Sequence, residues 1–540
     1  MNNAGFYVMN KSRTGEDVPA ILLPCGNIQY LHSMIDPKKE AERLVSSAGD
    51  IGFAVILGLG GGFACEAVLK LTNAQVLVID YGKNDIEKLF TQKDYSSLIN
   101  NNRFTLLVDP SDEEIKNFIL ENFKPALCGN IKTIPLRSRI EYNKEKFEKA
   151  VSVIQESIAI TSGDYSVQAH FGKRWFSNII RNIKHSEENN KIFFNNKYFV
   201  SIKECVIAAA GPSLDSQLPL LKKLKKEGVF IISTDTALGS LFYTGIEPDV
   251  VVSIDCQYIS LSHFTDIKFK SGQIPLILDI ASPPALANLH SFTPVFFSSG
   301  HPLAVYSSEN WRSMPLLDTT GGNVTYTCLS LAQILNIKKI TFFGADFSYV
   351  NSQTYARGSY IYPYFLKKQN RLSPLEALHS SFLYRSPFLP KTENKNEKKI
   401  NYYETKQLKF YREKLEEKVS VMDAQIIFAK GNGAPVNLTK INKTQENAIC
   451  KNKQAAVNEN DIKGLNGLEF LKQYRDNIAA LPQGASESYL SILNKKEKQV
   501  FLTLLPFAAA VRKRNPELES GNLIEEIKYR SIKEIEQVLV

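Results

Sequence analysis

Between residues 200 and 350 the chain returns six times to a short, continuous apolar run. The runs are Glu204–Ala209, Val229–Ser233, Val250–Ile254, Pro275–Asp279, Val295–Phe297 and Ile340–Phe343. None shows the polar alternation of a strand with one face in water, so both faces of each are expected to be covered. Helical or irregular stretches separate them. That pattern predicts a mostly parallel sheet between layers of helix, an α/β doubly wound fold.

A second α/β signal precedes it. In "IGFAVILGLGGGFACEAVLKLTNAQVLVID" (51–80) a buried strand, Phe53–Leu57, meets glycines at 58, 60, 61 and 62. A short helix and a strand ending in Asp80 follow. An acidic residue about 20 positions beyond a glycine turn is the pattern of dinucleotide and S-adenosylmethionine sites. The same glycines serve close strand–helix packing, and both readings stay open. At 540 residues the chain exceeds one core. We divide it into a Rossmann-like amino-terminal domain (1–140), a helical connector (141–195) with Trp175 as a packing anchor, a central domain (196–440) and a helical carboxy-terminal domain (455–540). Residues 366–405 combine Pro and mixed charge with little apolar content, and are expected to form a mobile lid. "VSVMDAQIIFAKGNGAPVN" (419–437) is expected to return one more strand to the central sheet.

Charge narrows the partners. Sixty-five Lys and Arg against 56 Asp and Glu give +9, without a long basic run. That predicts a solvated surface and no nucleic-acid groove, while a basic balance suits anionic substrates such as nucleotides. Seven cysteines stand singly, with no CxxC pair. We expect a reducing compartment and no disulfide framework. No HxxxH or HExxH pattern supports zinc. No secretory leader and no long apolar stretch appear, so a cytoplasmic protein without a membrane span is expected.

In an open α/β sheet, ligands bind at the carboxyl ends of the strands. Those ends carry Ala210-Gly211-Pro212-Ser213, Thr234-Asp235-Thr236, Asp255-Cys256-Gln257, Thr319-Thr320-Gly321-Gly322-Asn323 and Gly344-Ala345-Asp346-Phe347-Ser348-Tyr349. Glycines let a backbone approach a phosphate, and free N–H groups at a helix start attract anions. Together they predict a nucleotide-type site. No GxxxxGK[ST], GxSxG or DxD motif accompanies them, which removes P-loop hydrolysis and the nucleophile-elbow chemistry.

Four ordered stretches carry a family resemblance: "AAAGPSL", "STDTALGSLFYTGIEPDVVVSIDCQ", "DTTGGNVTYTCLSLAQILNIKKITFFGADFSY" and "TYARGSY". Over about 170–440 the chain resembles the motility-associated factor (Maf) glycosyltransferases, which share a 6-hydroxymethylpterin diphosphokinase-like central domain. That domain is similar to bacterial sialyltransferases, where Gly-Asn-Gly-Pro-Ser, Cys-Asn and Thr-Ser-Gly turns hold CMP. Here Ala210 and Asp235 replace the two asparagines. The resemblance implies transfer of a nonulosonic acid, pseudaminic or legionaminic, from a CMP-activated donor to Ser or Thr of flagellin. It implies that Gly211, Pro212 and Ser213 reach the nucleotide and that Asp235 and Thr236 read ribose or base. Thr320, Gly321, Gly322 and Asn323 would meet the phosphate, and Tyr349 and Tyr355 would donate to it as it leaves. Asp255, Asp346 and Tyr355 are the catalytic candidates. His379 and His301 have no matching motif. A cofactor is not expected to be required, and metal dependence stays open. Flagellin and the nucleotide sugar are the expected partners, with homo-oligomerisation possible. The competing readings are a pterin-type diphosphokinase using ATP and Mg²⁺, and a non-catalytic flagellin-binding protein.

Overall fold

The computed structural model describes residues 6–22, 26–188, 192–193, 202–268, 273–395, 398–438, 466–518 and 520–540. The chain forms two compact units, 1–173 with 473–537, and 174–472 with 538–540.

The first unit opens with antiparallel strands β1 (Phe6–Lys11), β2 (Asp17–Leu22) and β3 (Ile28–Tyr30). A parallel sheet follows, from β4 (Phe53–Leu57), β5 (Gln75–Asp80), β6 (Phe104–Val108) and β7 (Ile131–Pro135), in the order β6-β5-β4-β7. Every residue of β4 is buried, which is why it reads as an unbroken apolar run. The unit also holds helices of the tail, Lys495–Arg514 and most of Ser520–Leu539. The sequence marks those helices but not what they pack on. Gly172 is one reason they pack here: a Cβ on it would lie 1.7 Å from the Pro506 carbonyl oxygen, so only glycine admits that approach. Arg512 adds a hydrogen bond to the Leu127 carbonyl at 3.2 Å.

The second unit is built on eight parallel strands: β8 (Ile192–Phe193), β9 (Glu204–Ala208), β10 (Phe230–Thr234), β11 (Val250–Ser253), β12 (Ile274–Asp279), β13 (Phe292–Phe297), β14 (Lys339–Phe343) and, later in the chain, β18 (Gln425–Phe428). Their order is β18-β14-β9-β10-β11-β12-β13-β8. Along β9, Cys205 and Ile207 enter one apolar cluster while Val206 and Ala208 enter another, on the opposite face. Both faces are buried, as the missing polar alternation requires. After β14 come β15 (Tyr349–Val350), the helices Ile361–Leu366 and Leu375–Leu383, and then β16 (Phe388–Lys395) and β17 (Lys398–Thr405), which with β15 form an antiparallel sheet in the order β15-β17-β16.

The connector is one continuous helix, Lys144–Glu188. In the second unit Asn178 donates to the carbonyls of Cys256 and Ala281, and Asn182 to those of Ile280 and Ser282. These bonds hold the segments that leave β11 and β12. Trp175 packs edge-on against His301 with ring centroids 5.3 Å apart, as an anchor should.

Candidate functional site on the carboxyl rim of the central sheet

The strand order places a topological switch at β9. The chain goes from β9 through β10 to β13 on one side, then crosses to β14 on the other. Ligands in open α/β sheets bind at such a point. The loops after β9 and β14 are stitched together there. Gly211 N donates to the Gly344 carbonyl at 2.8 Å, and Ser213 N donates to Asp346 Oδ2 at 2.7 Å. A strap after β18 closes over them: Asn432 N donates to Ser213 Oγ, and Ala434 N to the Asp346 carbonyl. A Cβ on Gly211 would meet Gly344 O at 2.4 Å, and one on Gly433 would meet Asp346 Cα at 2.5 Å. Pro212, Ser213 and Asp346 are buried under this strap. Asp346 therefore braces the turn, and its Oδ2 faces a backbone amide.

The next two strand ends form a charged centre. Asp235, 1% exposed, follows β10. Its Oδ1 accepts from Thr236 N at 2.6 Å and Thr236 Oγ1 at 2.9 Å, and its Oδ2 accepts from Ser253 Oγ at 2.7 Å. His263, in the segment after β11, brings Nδ1 to 3.3 Å from the same Oδ2, off the line of an ideal hydrogen bond. Burial alone would raise the Asp235 carboxyl. The facing His263 charge and hydrogen bond, with Ser253 and Thr236, outweigh it and hold the group below the usual carboxylate range. The Tyr360 ring lies against the imidazole, centroids 4.3 Å apart. Asp255 stands nearby, half-buried, with Oδ1 accepting from Gln257 N at 2.9 Å. Burial, helped by the Asp235 charge, pushes its carboxyl up against the pull of the Gln257 amide and His263.

The Thr-Thr-Gly-Gly-Asn turn leads into the helix Val324–Ile334. Asp318 organises it: Oδ1 accepts from Thr320 N and, at 2.6 Å, Thr320 Oγ1, while Oδ2 accepts from Tyr326 OH and Lys418 Nζ. Burial opposes ionisation, but Lys418 and these hydroxyls pull the Asp318 carboxyl to about 2. Gly321 has no room for a Cβ beside the Tyr326 ring. Gly322, exposed at φ +71°, faces Tyr411 of the helix Lys406–Ser420. Asn323 caps the helix, with Oδ1 accepting from Tyr326 N and Nδ2 donating to the Gly321 carbonyl.

Tyrosines of the segment after β14 stand near this centre. Tyr355 lies 6.0 Å from Tyr360 and 6.2 Å from Phe382 by ring centroid. Burial raises the phenols of Tyr349, Tyr355 and Tyr360, while Arg385 pulls each of them back. Arg385 is exposed and lies over the Phe382 ring, 3.9 Å from its centroid. The rim thus joins an Asp–His pair able to take a proton to a group of hydroxyls and an arginine able to hold an anion.

His263, Tyr360, Arg385 and Tyr411 escape the sequence reading. The usable signal for His263 was indirect: loops after adjacent parallel strands lie side by side, and His263 follows β11 as Asp235 follows β10. The other histidines stand apart from that pair. His301 Nδ1 accepts from Leu303 N at 3.2 Å as a helix cap, and burial drives the imidazole down to about 3. His379 packs between Tyr362 and Phe365 on the helix Leu375–Leu383.

The amino-terminal glycine turn is filled by the protein itself. Asp80 Oδ2 accepts from Leu59 N at 2.7 Å, and Oδ1 pairs with Arg139 at 2.9 Å, both side chains buried. Gly61 N donates to His32 Nε2 at 2.8 Å, Gly62 N to the Leu59 carbonyl, and Tyr95 OH donates to the Gly60 carbonyl. The groups that would grip a ribose or diphosphate are engaged, which supports the packing alternative.

The second unit is thus a doubly wound α/β domain whose rim gathers acids, hydroxyls and a glycine turn. Residues 177–352 match the family model described as 6-hydroxymethylpterin diphosphokinase MptE-like. Two uncharacterised proteins of Treponema pallidum (strain Nichols) are similar in sequence. One is 33% identical over 179 residues, covering 31% of this chain and 62% of that protein. The other is 27% identical over 182 residues, covering 33% of this chain and 84% of that protein. Across 99% of its length this chain has the fold of a Maf glycosyltransferase from Magnetospirillum magneticum AMB-1, covering 90% of that structure with a TM-score of 0.55 at 14% identity. The resemblance to Maf proteins read in the sequence stands at the level of fold.

Proposed function

We propose that this protein is a glycosyltransferase that moves a nonulosonic acid, pseudaminic or legionaminic, from a CMP-activated donor to Ser or Thr hydroxyls of flagellin. The carrying observation is the extent of the fold likeness: it runs through both units, well beyond the 177–352 domain shared with diphosphokinase-like proteins. The rim supports the chemistry. Breaking a sugar–phosphate bond puts negative charge on the departing phosphate and positive charge on the sugar, so preoriented donors lower the barrier. Thr320, the amides before Val324, Tyr349, Tyr355, Tyr360 and Arg385 are donors of that kind. Gly211 and Ser213 shape the floor under the nucleotide. Among the described residues no helix is long and apolar enough to cross a membrane, which agrees with action on a cytoplasmic acceptor before export.

The description of the matched family model favours a second reading, diphosphate transfer from ATP to a pterin alcohol. One experiment separates the two. CMP should stabilise the protein against heat by mass action, by about 2.7 kcal/mol at a hundred times its dissociation constant, and ATP with Mg²⁺ should do less. Purified flagellin incubated with a CMP-linked nonulosonic acid should gain the sugar mass. Stronger stabilisation by ATP–Mg²⁺ together with unmodified flagellin overturns the glycosyl-transfer reading.

A further inference from the structure

We propose that the first unit carries a binding site for a small organic phosphate with a flat apolar body, an aryl or nucleoside phosphate, in a cleft between the long helix and the two tail helices. The cleft has a volume of about 490 Å³, inside the range of about 300–1,000 Å³ usual for small-molecule sites. Lys173 of the helix Lys144–Glu188 stands on one side, the helix Lys495–Arg514 forms the floor, and the helix Ser520–Leu539 forms the other side. Lys173 and Phe507 each stand one residue beyond the close approach of Gly172 to Pro506, so that contact holds apart the two helices they belong to.

The lining selects an anion with an apolar body. Phe507, Ala510 and Val511 make the floor, and each is almost wholly buried. Above them stand four cations, Lys173, Arg514, Arg530 and Lys533, against two carboxylates, Glu526 and Glu534. Both carboxylates are already matched, Glu534 by Lys173 at 2.9 Å and Glu526 by Arg530. Arg514 and Lys533 are exposed and form no salt bridge among the described residues. Arg512, in the same last turn as Arg514, is engaged elsewhere, with the Leu127 carbonyl. Lys533 Nζ lies 5.8 Å from the centroid of the Tyr529 ring, and that ring is 60% exposed. A phosphomonoester carries close to two negative charges at neutral pH, which matches the two surplus cations. A guanidinium grips two of its oxygens as a fork, and an ammonium answers the remaining charge. The flat body then covers the apolar floor beside Tyr529. A bilayer surface fits less well, because the apolar side chains are recessed and do not project. Binding here needs none of the rim residues.

The test uses the full chain with ¹³C-labelled Ala and Val methyl groups, and reads the Ala510 and Val511 resonances, which report on this cleft alone. Phenyl phosphate should shift them saturably. Inorganic phosphate lacks the body and phenol lacks the charge, so each should bind at least about tenfold more weakly. Arg514→Ala combined with Lys533→Ala should weaken phenyl phosphate by at least about tenfold and leave the fold intact, because both side chains are exposed. Unmoved methyl resonances, phenol as tight as phenyl phosphate, or undiminished affinity in the double variant overturns the site. Should the double variant fail to fold, added salt decides on the unmodified protein: an affinity for phenyl phosphate that does not fall with NaCl overturns it. Phosphatidylglycerol vesicles separate a lipid headgroup from a soluble phosphate. Sedimentation with them that the double variant loses, with the methyl resonances unmoved by phenyl phosphate, assigns the cations to a bilayer and overturns the soluble ligand.

Discussion

Asp235 shows how far a residue type at a strand end can be read. The sequence marks the position, because a carboxylate after a buried strand and before a helix faces the ligand rim. It assigns that carboxylate to ribose or base, yet in the fold all its acceptor sites are turned toward the protein's own Thr236, Ser253 and His263. Pairing with His263 depends on β10 and β11 lying side by side, which is a fact of strand order and not of spacing. The consequence is measurable. Asp235→Ala strands a buried serine hydroxyl and a histidine, so it should cost about 1–3 kcal/mol in urea unfolding besides slowing transfer. A variant with undiminished stability would mean that the network is slack. Gly211 behaves differently. Its substitution by alanine pushes a methyl into the Gly344 carbonyl at 2.4 Å, and we expect a loss of about 2 kcal/mol from overpacking. Ser213, by contrast, was legible as part of the turn from a strand into a helix, and it stands directly before the helix Leu214–Lys226.

Among the elements, the strands were the most legible and the lid the least. All six apolar runs between 200 and 350 became strands of one sheet, each within a few residues of the expected bounds. A strand buried on both faces has to be apolar throughout, so its signal is local. The hairpin β16–β17 pairs residue by residue from Phe388↔Thr405 to Lys395↔Lys398, but charged and polar residues fill its sequence and leave no apolar face to detect. The glycine turn after β4 was ambiguous for a further reason: tight packing and phosphate binding demand the same residue. Its neighbours decide. Gly60 adopts φ +50°, and a Cβ there would lie 2.5 Å from His32 Nε2 and from Leu136. Gly60→Ala should lower the melting temperature of the first unit while leaving the CMP-induced rise of the second unchanged. If a normally stable variant instead loses bound S-adenosylmethionine or a dinucleotide, the turn is a ligand site and the packing account fails.

For the whole molecule, each unit contains a half-buried histidine that accepts a backbone hydrogen bond and must be neutral at that nitrogen to do so. His32 receives Gly61 N in the first unit, and His301 receives Leu303 N in the second. Burial lowers His32 to about 4, with the charge of Lys93 as a lesser cause, and burial lowers His301 to about 3. An unfolded chain protonates both near the ordinary histidine value of about 6.5. Below that value the unfolded state binds more protons than the folded one, so stability is full above about pH 6.5 and falls as pH drops toward the folded values. Each histidine contributes a slope of up to about 1.4 kcal/mol per pH unit. Asp279 works the other way in the second unit. Burial raises its carboxyl to about 6 despite hydrogen bonds from Ala281 and Ser299, so the folded state takes up a proton first and gains stability as pH falls through the same range. The two opposing groups hide each other in a simple melting curve, and a paired comparison separates them. His301→Asn keeps a side-chain oxygen at the helix cap, where Asn is favoured, and removes the titration. Between about pH 4.5 and 6.5, above the ordinary carboxylate range, the His301→Asn variant should lose less stability on acidification than the unmodified protein. The difference in urea unfolding free energy should widen by about 1 kcal/mol per pH unit. Parallel curves for the two proteins would show that His301 carries its proton in the folded state, and the cap drawn from its Nδ1 to Leu303 would be wrong.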